Sequence, residues 1–236
     1  MFKIALEDDL AQELCNFKQR ENYDDRIVER ILYYYKAPIL VSQKYMKKCY
    51  EDEATLSRIL ANNDIDFKRS LEELAATQTL YKIILSKDKS EFPFVNIFND
   101  KLENNFTATF KSGEPRTKAV KHFTSLFYNA QSIFIVDKYI KKTDLEYLIR
   151  ECKVNECVDE IKIVKSEKAE SDGGIKQNTQ IMGVKVQVVA NDQNYNKDNT
   201  HDRYINIDDK IEIILTSGLD NFQNTLKDFT YLIRTI

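Results

Sequence analysis

His201-Asp202-Arg203-Tyr204-Ile205-Asn206-Ile207-Asp208 decides how this chain is read. From Arg203 to Ile207 the residues alternate, with Ile205 and Ile207 on one side and Tyr204 and Asn206 on the other, the period of a strand. Ile211-Glu212-Ile213-Ile214-Leu215 follows after Asp208-Asp209-Lys210, so the two runs are expected to form a hairpin. The chain contains 2 histidines in 236 residues, which singles out a His two positions ahead of an Arg at the mouth of a strand. An imidazole can attack phosphorus or carry a proton. A guanidinium can grip a phosphate through two parallel hydrogen bonds. A carboxylate can polarise an imidazole, the role open to Asp208. Together His201, Arg203 and Asp208 are the candidate catalytic residues.

Upstream of this stretch, strands are expected to alternate with helices. Ser132-Ile-Phe-Ile-Val136 reads as a buried strand ending in Asp137, Glu160-Ile-Lys-Ile-Val164 as a second, and Gly183-Val-Lys-Val-Gln-Val-Val189 as a third. Val120, Phe123 and Phe127 mark one helix stripe. Leu145, Leu148, Ile149 and Cys152 mark another, opened by the capping-box pattern Thr143-Asp-Leu-Glu146. Ser166–Gln180 is polar and reads as a loose helix or loop, and Asn191–Thr200 as a polar loop. Asp228-Phe-Thr-Tyr-Leu-Ile233 reads as a final strand. This rhythm predicts an α/β fold whose sheet is mixed, because the hairpin adds antiparallel pairs to it.

The first part of the chain reads differently. Leu6, Leu10, Leu14 and Phe17 fall on one helical face, as do Ile27, Val28, Ile31, Leu32 and Tyr35. Leu56, Ile59 and Leu60 mark a third helix, and Ser70-Leu-Glu-Glu73 opens a fourth running towards Leu85. Pro38-Ile-Leu-Val-Ser42 and Phe106-Thr-Ala-Thr-Phe110 are short strand candidates. The turn Lys111-Ser-Gly-Glu-Pro115 places the expected boundary, giving a helix-rich region over 1–112 and an α/β domain over 113–236.

Hydrophobic residues make up 42% and charged residues 31%, ordinary for a globular chain, and no apolar run approaches the roughly 18 residues of a membrane span. The N-terminus turns acidic at Glu7-Asp8-Asp9 without the apolar core of a signal peptide, so a cytoplasmic protein with reduced cysteines is expected. A net charge of -3 argues against coating nucleic acid generally but leaves room for a local basic groove. Two clusters are candidates for phosphate contacts or plain solvated surface: Lys111, Arg116, Lys118 and Lys121, and Lys138, Lys141 and Lys142. Cys152 and Cys157 have loose metal-like spacing, but no second pair completes a site, so no metal or cofactor is expected. His122 reads as a surface or satisfied core residue.

The motif His201-x-Arg203-x4-Asp208 differs in one residue from the His-x-Lys-x4-Asp signature of the phospholipase D superfamily, which the second half of the chain resembles. The likeness is nearest to the C-terminal domain of microtubule-interacting-and-transport (MIT) domain proteins. It rests on three stretches in order: Ala130-Gln-Ser-Ile-Phe-Ile-Val-Asp137-Lys-Tyr139-Ile140, His201-Asp202-Arg203, and Ser217-Gly218-Leu219-Asp220. The resemblance implies a dimeric phospholipase D-like fold that binds anionic groups, with Asp137, Tyr139, Ser217 and Asn221 as ligand-binding candidates. Residues 1–112 match no part of that family. Lys, Asn, Asp and Ile are abundant and Trp is absent, as in low-GC bacterial or mobile-element proteins, and bacterial phospholipase D-like domains often belong to defence systems.

Two functional readings stay open. One is an interaction domain whose cleft holds a phosphate-bearing ligand through Arg203 and His201, with a protein partner meeting the N-terminal helices. The other is a metal-independent phosphodiesterase or nuclease acting as a homodimer, in which one His201 attacks phosphorus and its symmetry mate protonates the leaving oxygen. Arg for Lys is not a conservative exchange, and Ser217 and Asn221 are displaced from the superfamily's usual spacing, which favours the first reading. A structural alternative pairs Arg203 with Asp137 or with Asp208.

Overall fold

The computed structural model describes residues 1–50, 52–61, 65–165, 175–189 and 202–236. The chain divides into two compact units, Met1–Asn104 and Asn105–Ile236.

The first unit runs β1 (Ile4–Leu6), α1 (Asp8–Gln19), α2 (Asp25–Tyr34), β2 (Ile39–Leu40), α3 (Gln43–Cys49), α4 (Glu53–Ala61), α5 (Leu71–Gln78), β3 (Ile84–Ser86) and β4 (Phe94–Asn96). It is α/β rather than simply helical. Its four strands form a parallel sheet in the order β2-β1-β3-β4. The reason the sequence read as helix is physical. Strands of two or three residues that are buried throughout carry no alternation, and Leu6 stands four residues before Leu10, mimicking a helical stripe. The fourth predicted helix starts at its capping box, where Ser70 and Glu73 accept each other's backbone N–H at 3.2 and 2.9 Å. It stops at Gln78, and Ile84–Ser86 then forms the central strand β3.

The second unit runs β5 (Thr107–Phe110), α6 (Thr117–Phe127), β6 (Ile133–Val136), α7 (Lys142–Glu151), a 3-10 turn (Val154–Glu156), β7 (Glu160–Val164), β8 (Thr179–Ile181), β9 (Val184–Val188), β10 (Arg203–Ile207), β11 (Ile211–Leu215), α8 (Asp220–Gln223) and β12 (Phe229–Thr235). Its eight-stranded sheet has the order β5-β12-β11-β10-β6-β7-β9-β8. The β6-β7 and β7-β9 pairs are parallel, and the other pairs are antiparallel, as expected of a mixed α/β sheet. The division between units precedes the expected boundary at 112, because Thr107–Phe110 pairs with β12 instead of closing the first unit. Thr179–Ile181, in a segment expected to be irregular, pairs with β9 through Met182 and Gly183, both at positive φ (50° and 88°) as a two-residue hairpin requires.

Helix α6 buries Ala119, His122, Phe123, Leu126 and Phe127. Phe123 stacks on Phe222 at 4.9 Å and meets Tyr231 edge-on at 5.0 Å. Each such ring contributes about 1.5–3 kcal/mol by leaving water. His122 lies within this cluster, its Nδ1 2.9 Å from the Tyr231 hydroxyl, so it is a core residue. Asp144 caps α7 by accepting the Lys141 N–H at 2.9 Å, so the helix opens two residues earlier than the Thr143 pattern predicts.

Candidate functional site

Strand β6 is the hinge of the site. Antiparallel register sets Tyr204 against Val136, which puts Arg203 opposite Asp137, one step beyond the end of β6. Register in β11 sets Leu215 against Arg203, and the chain then turns through Ser217, Gly218 and Leu219 into α8. Three stretches far apart in sequence therefore meet at one end of the sheet.

Asp137 joins them. It is 2% exposed, accepts the Leu219 N–H at 3.0 Å through Oδ2 and the Tyr139 N–H at 2.9 Å through Oδ1. Its Oδ1 lies 3.9 Å from Arg203 Nε, a Coulombic contact longer than a hydrogen bond. Burial pushes the Asp137 carboxyl above the ordinary aspartate range, while the two N–H donors and Arg203 pull it back and Asp220 adds to the rise. An added Cβ at Gly218 would meet only the movable, half-exposed Asp220 carboxylate, with Asp137 Oδ2 3.9 Å away at ordinary contact distance. Ser217 Oγ and Asn221 Oδ1 are both buried without a hydrogen-bond partner among the described residues. Buried polar atoms of that kind are uncommon and costly.

Of the candidates, Asp137, Arg203, Ser217 and Asn221 belong to this end of the sheet. Tyr139 is 65% exposed beside it, its backbone bound to Asp137. His201 lies outside the described residues. Asp208 is at the other end of β10, about 16 Å from Arg203 at a strand's rise per residue. Its Oδ1 accepts the N–H groups of Gln131 at 2.8 Å and Ser132 at 2.7 Å, so it fastens the hairpin turn to the start of β6. The expectation that Asp208 sits with Arg203 in one constellation is therefore corrected: the strand residues Tyr204–Ile207 separate the carboxylate from the site.

Arg116 also needs correction as a surface phosphate contact. It is 4% exposed, donates to the carbonyls of Lys111, Glu114 and Lys227, and stacks over Phe110 and Phe229. Lys111 makes a 3.8 Å ion pair with Asp228, and Lys142 a 3.5 Å pair with Glu146.

Two residues were missed. Lys165 follows β7 and is in register with Asp137 across the parallel pair, yet it is 5% exposed. Its position one residue past an apolar strand was the available signal, the same one that marked Asp137. Asp144, 3% exposed, accepts Gln223 Nε2 at 2.7 Å and so ties α7 to α8, the helix that carries Asn221. Burial raises its carboxyl as well. Among the described residues no group of three or more His, Cys, Asp or Glu side chains converges as metal ligands. Cys152 is buried in the core with its thiol pushed up by burial.

No protein-family model matches the chain, and no curated protein matches it. Among solved structures it is similar to NucT from Helicobacter pylori, at 17% identity and a TM-score of 0.34, over 55% of this chain and 84% of that one. No helix among the described residues is long and apolar enough to cross a membrane.

Proposed function

We propose that the second unit is a phospholipase D-like domain, with MIT C-terminal-like motif order, that binds a phosphate-bearing ligand. The observation that carries this reading is the meeting of Asp137, Arg203 and the Ser217–Asn221 loop at one end of the sheet. Arg203 supplies the cation, with the Asp137 carboxylate 3.9 Å from its Nε as a charge partner. His201 supplies a second donor. Ser217 Oγ offers a donor at the loop. Nucleic acid and other phosphodiesters are the ligand class, and the working form is a homodimer, with the first unit meeting a protein partner. A bacterial defence or mobile-element system is the proposed setting.

The rival reading is catalysis. His201 would attack phosphorus, the leaving oxygen would take a proton from the second copy's His201, and water would then cleave the phosphohistidine. The position of Asp208 weighs against it, because the carboxylate assigned to polarise His201 instead holds the hairpin turn.

The test measures binding of inorganic phosphate and of a short oligonucleotide, with Arg203→Ala and Arg203→Lys, and hydrolysis of a chromogenic diester in EDTA with His201→Ala. Binding lost in Arg203→Ala, without hydrolysis, supports the ligand-binding reading. Hydrolysis lost in His201→Ala establishes the enzyme. Binding unchanged in both Arg203 variants sinks any phosphate role for Arg203.

A further inference from the structure

In the first unit Cys15 on α1 and Cys49 at the end of α3 are both buried, 0% and 4% exposed, with their Sγ atoms 3.0 Å apart. That is about 1 Å beyond a disulfide bond of ~2.05 Å. The surroundings fix the pair. Lys18, one turn along α1, donates to the Cys49 carbonyl at 2.7 Å, and its ammonium lies 6.0 Å from the centre of the Tyr50 ring. Tyr50 in turn bonds the Ile39 backbone through its hydroxyl, at 2.8 and 2.6 Å. Burial pushes the Cys49 thiol up to about 12, so it rests protonated and the close approach carries no thiolate repulsion. Helices α1 and α3 follow adjacent parallel strands, β1 and β2, so a bond between the two sulfurs would link two helices that follow neighbouring strands.

We propose that Cys15 and Cys49 form an oxidative cross-link site, closed to a disulfide by a peroxide. The sulfur of one thiol attacks a peroxide oxygen and gives up its proton in the same step; the O–O bond breaks, giving a sulfenic acid and one water. The second thiol attacks that sulfur and loses its proton to the leaving hydroxyl, forming the S–S bond and releasing a second water. Hydrogen peroxide is reduced by two electrons, both thiols are oxidised, and both protons end in water. The other two cysteines differ in setting. Cys152 packs in the core of the second unit near the Val120 carbonyl, at 4.0 Å, and Cys157 is half-exposed with its sulfur 3.6 Å from the Lys153 carbonyl.

The experiment treats the full reduced chain with hydrogen peroxide, blocks remaining thiols with N-ethylmaleimide in denaturant, and maps the digest by mass spectrometry. The expected result is a Cys15-to-Cys49 linked peptide that disappears on reduction, with melting raised by several degrees in the linked form. Failure of both cysteines to escape alkylation, overoxidation of either, or linkage to Cys152 or Cys157 instead, would overturn the proposal. So would a linked form that melts lower than the reduced one, since the native packing would then not accommodate the bond. Cys15→Ala and Cys49→Ala, checked for folding by circular dichroism, should each abolish the link. Mapping of the unsubstituted chain decides the matter even where a variant does not fold.

Discussion

Replacing Asp137 with alanine strikes the point where β6, β10 and the Ser217–Asn221 loop are held together. Its carboxylate accepts the buried Leu219 N–H at 3.0 Å and the partly exposed Tyr139 N–H at 2.9 Å. A buried donor left without an acceptor costs about 1–3 kcal/mol, and a bond that water can replace about 0.5–1.5 kcal/mol. Burial of the carboxylate opposes this, because Asp137 is held in a place that raises its pKa and its removal recovers that desolvation. The net loss expected is about 1.5–3 kcal/mol, concentrated in the loop. Amide hydrogen exchange reads it locally: at 1.4 kcal/mol per factor of ten, the Leu219 amide should exchange about tenfold to a hundredfold faster. Asp137→Asn keeps one acceptor oxygen and should cost about half as much. Unchanged protection at Leu219 in folded Asp137→Ala would refute the view that this carboxylate organises the site.

Further expectations follow from the same geometry. Asp208→Ala should lower unfolding stability by about 1–3 kcal/mol and leave phosphate or oligonucleotide affinity unchanged, because its partners are the Gln131 and Ser132 amides; a loss of affinity without a loss of stability would return Asp208 to the site. Lys82 is buried in the first unit, donates to the Ala76 carbonyl at 2.7 Å, and has its pKa lowered by burial from 10.5 to about 8. The unfolded chain therefore binds more protons between those values, so stability should rise with pH across that window and be flat below it. At 1.36 kcal/mol per unit the burial penalty at neutral pH is about 3 kcal/mol, and Lys82→Met, which also loses the hydrogen bond, should gain about 1 kcal/mol in urea titrations at pH 7; an undiminished rise above pH 8 in the variant would contradict this. Asp137 and Asp144 have raised folded pKa values, so each favours the folded state below the ordinary aspartate pKa and loses that advantage as pH climbs through the raised value. Comparing acid titrations of the unsubstituted chain and Asp144→Asn should show that fall shrinking, and a fall of unchanged size would refute the assignment.

The hairpin at Arg203–Leu215, the strand ending in Asp137 and the mixed sheet were all legible, because runs of four or five mostly apolar, β-branched residues bounded by turn residues mark strands even where burial does not alternate. The pairing of Arg203 with Asp137 was one of two that sequence left open, and antiparallel register selects it over Asp208. What stayed hidden has two causes. The parallel strands of the first unit are short and buried throughout, so Ile4–Leu6 and Ile84–Ser86 carry no period to read. The roles of Lys165, Asp144 and the Leu219 amide depend on which strand ends and helices are brought side by side, which no local pattern encodes.

The sheet of the second unit has a temporal consequence. Strand β5 opens the unit, yet its partner is β12, the last strand of the unit in chain order, and β12 also separates it from β11. During translation Thr107–Phe110 must wait, its backbone groups turned to water, until residues 229–235 arrive to fill the slot. Phe110, Phe229 and Tyr231, which stack across that seam, come together only then. The aromatic cluster around Phe123 is thus completed by the final strand, and a nascent chain stalled before Phe229 would present an open sheet edge and an unfinished core to whatever it meets.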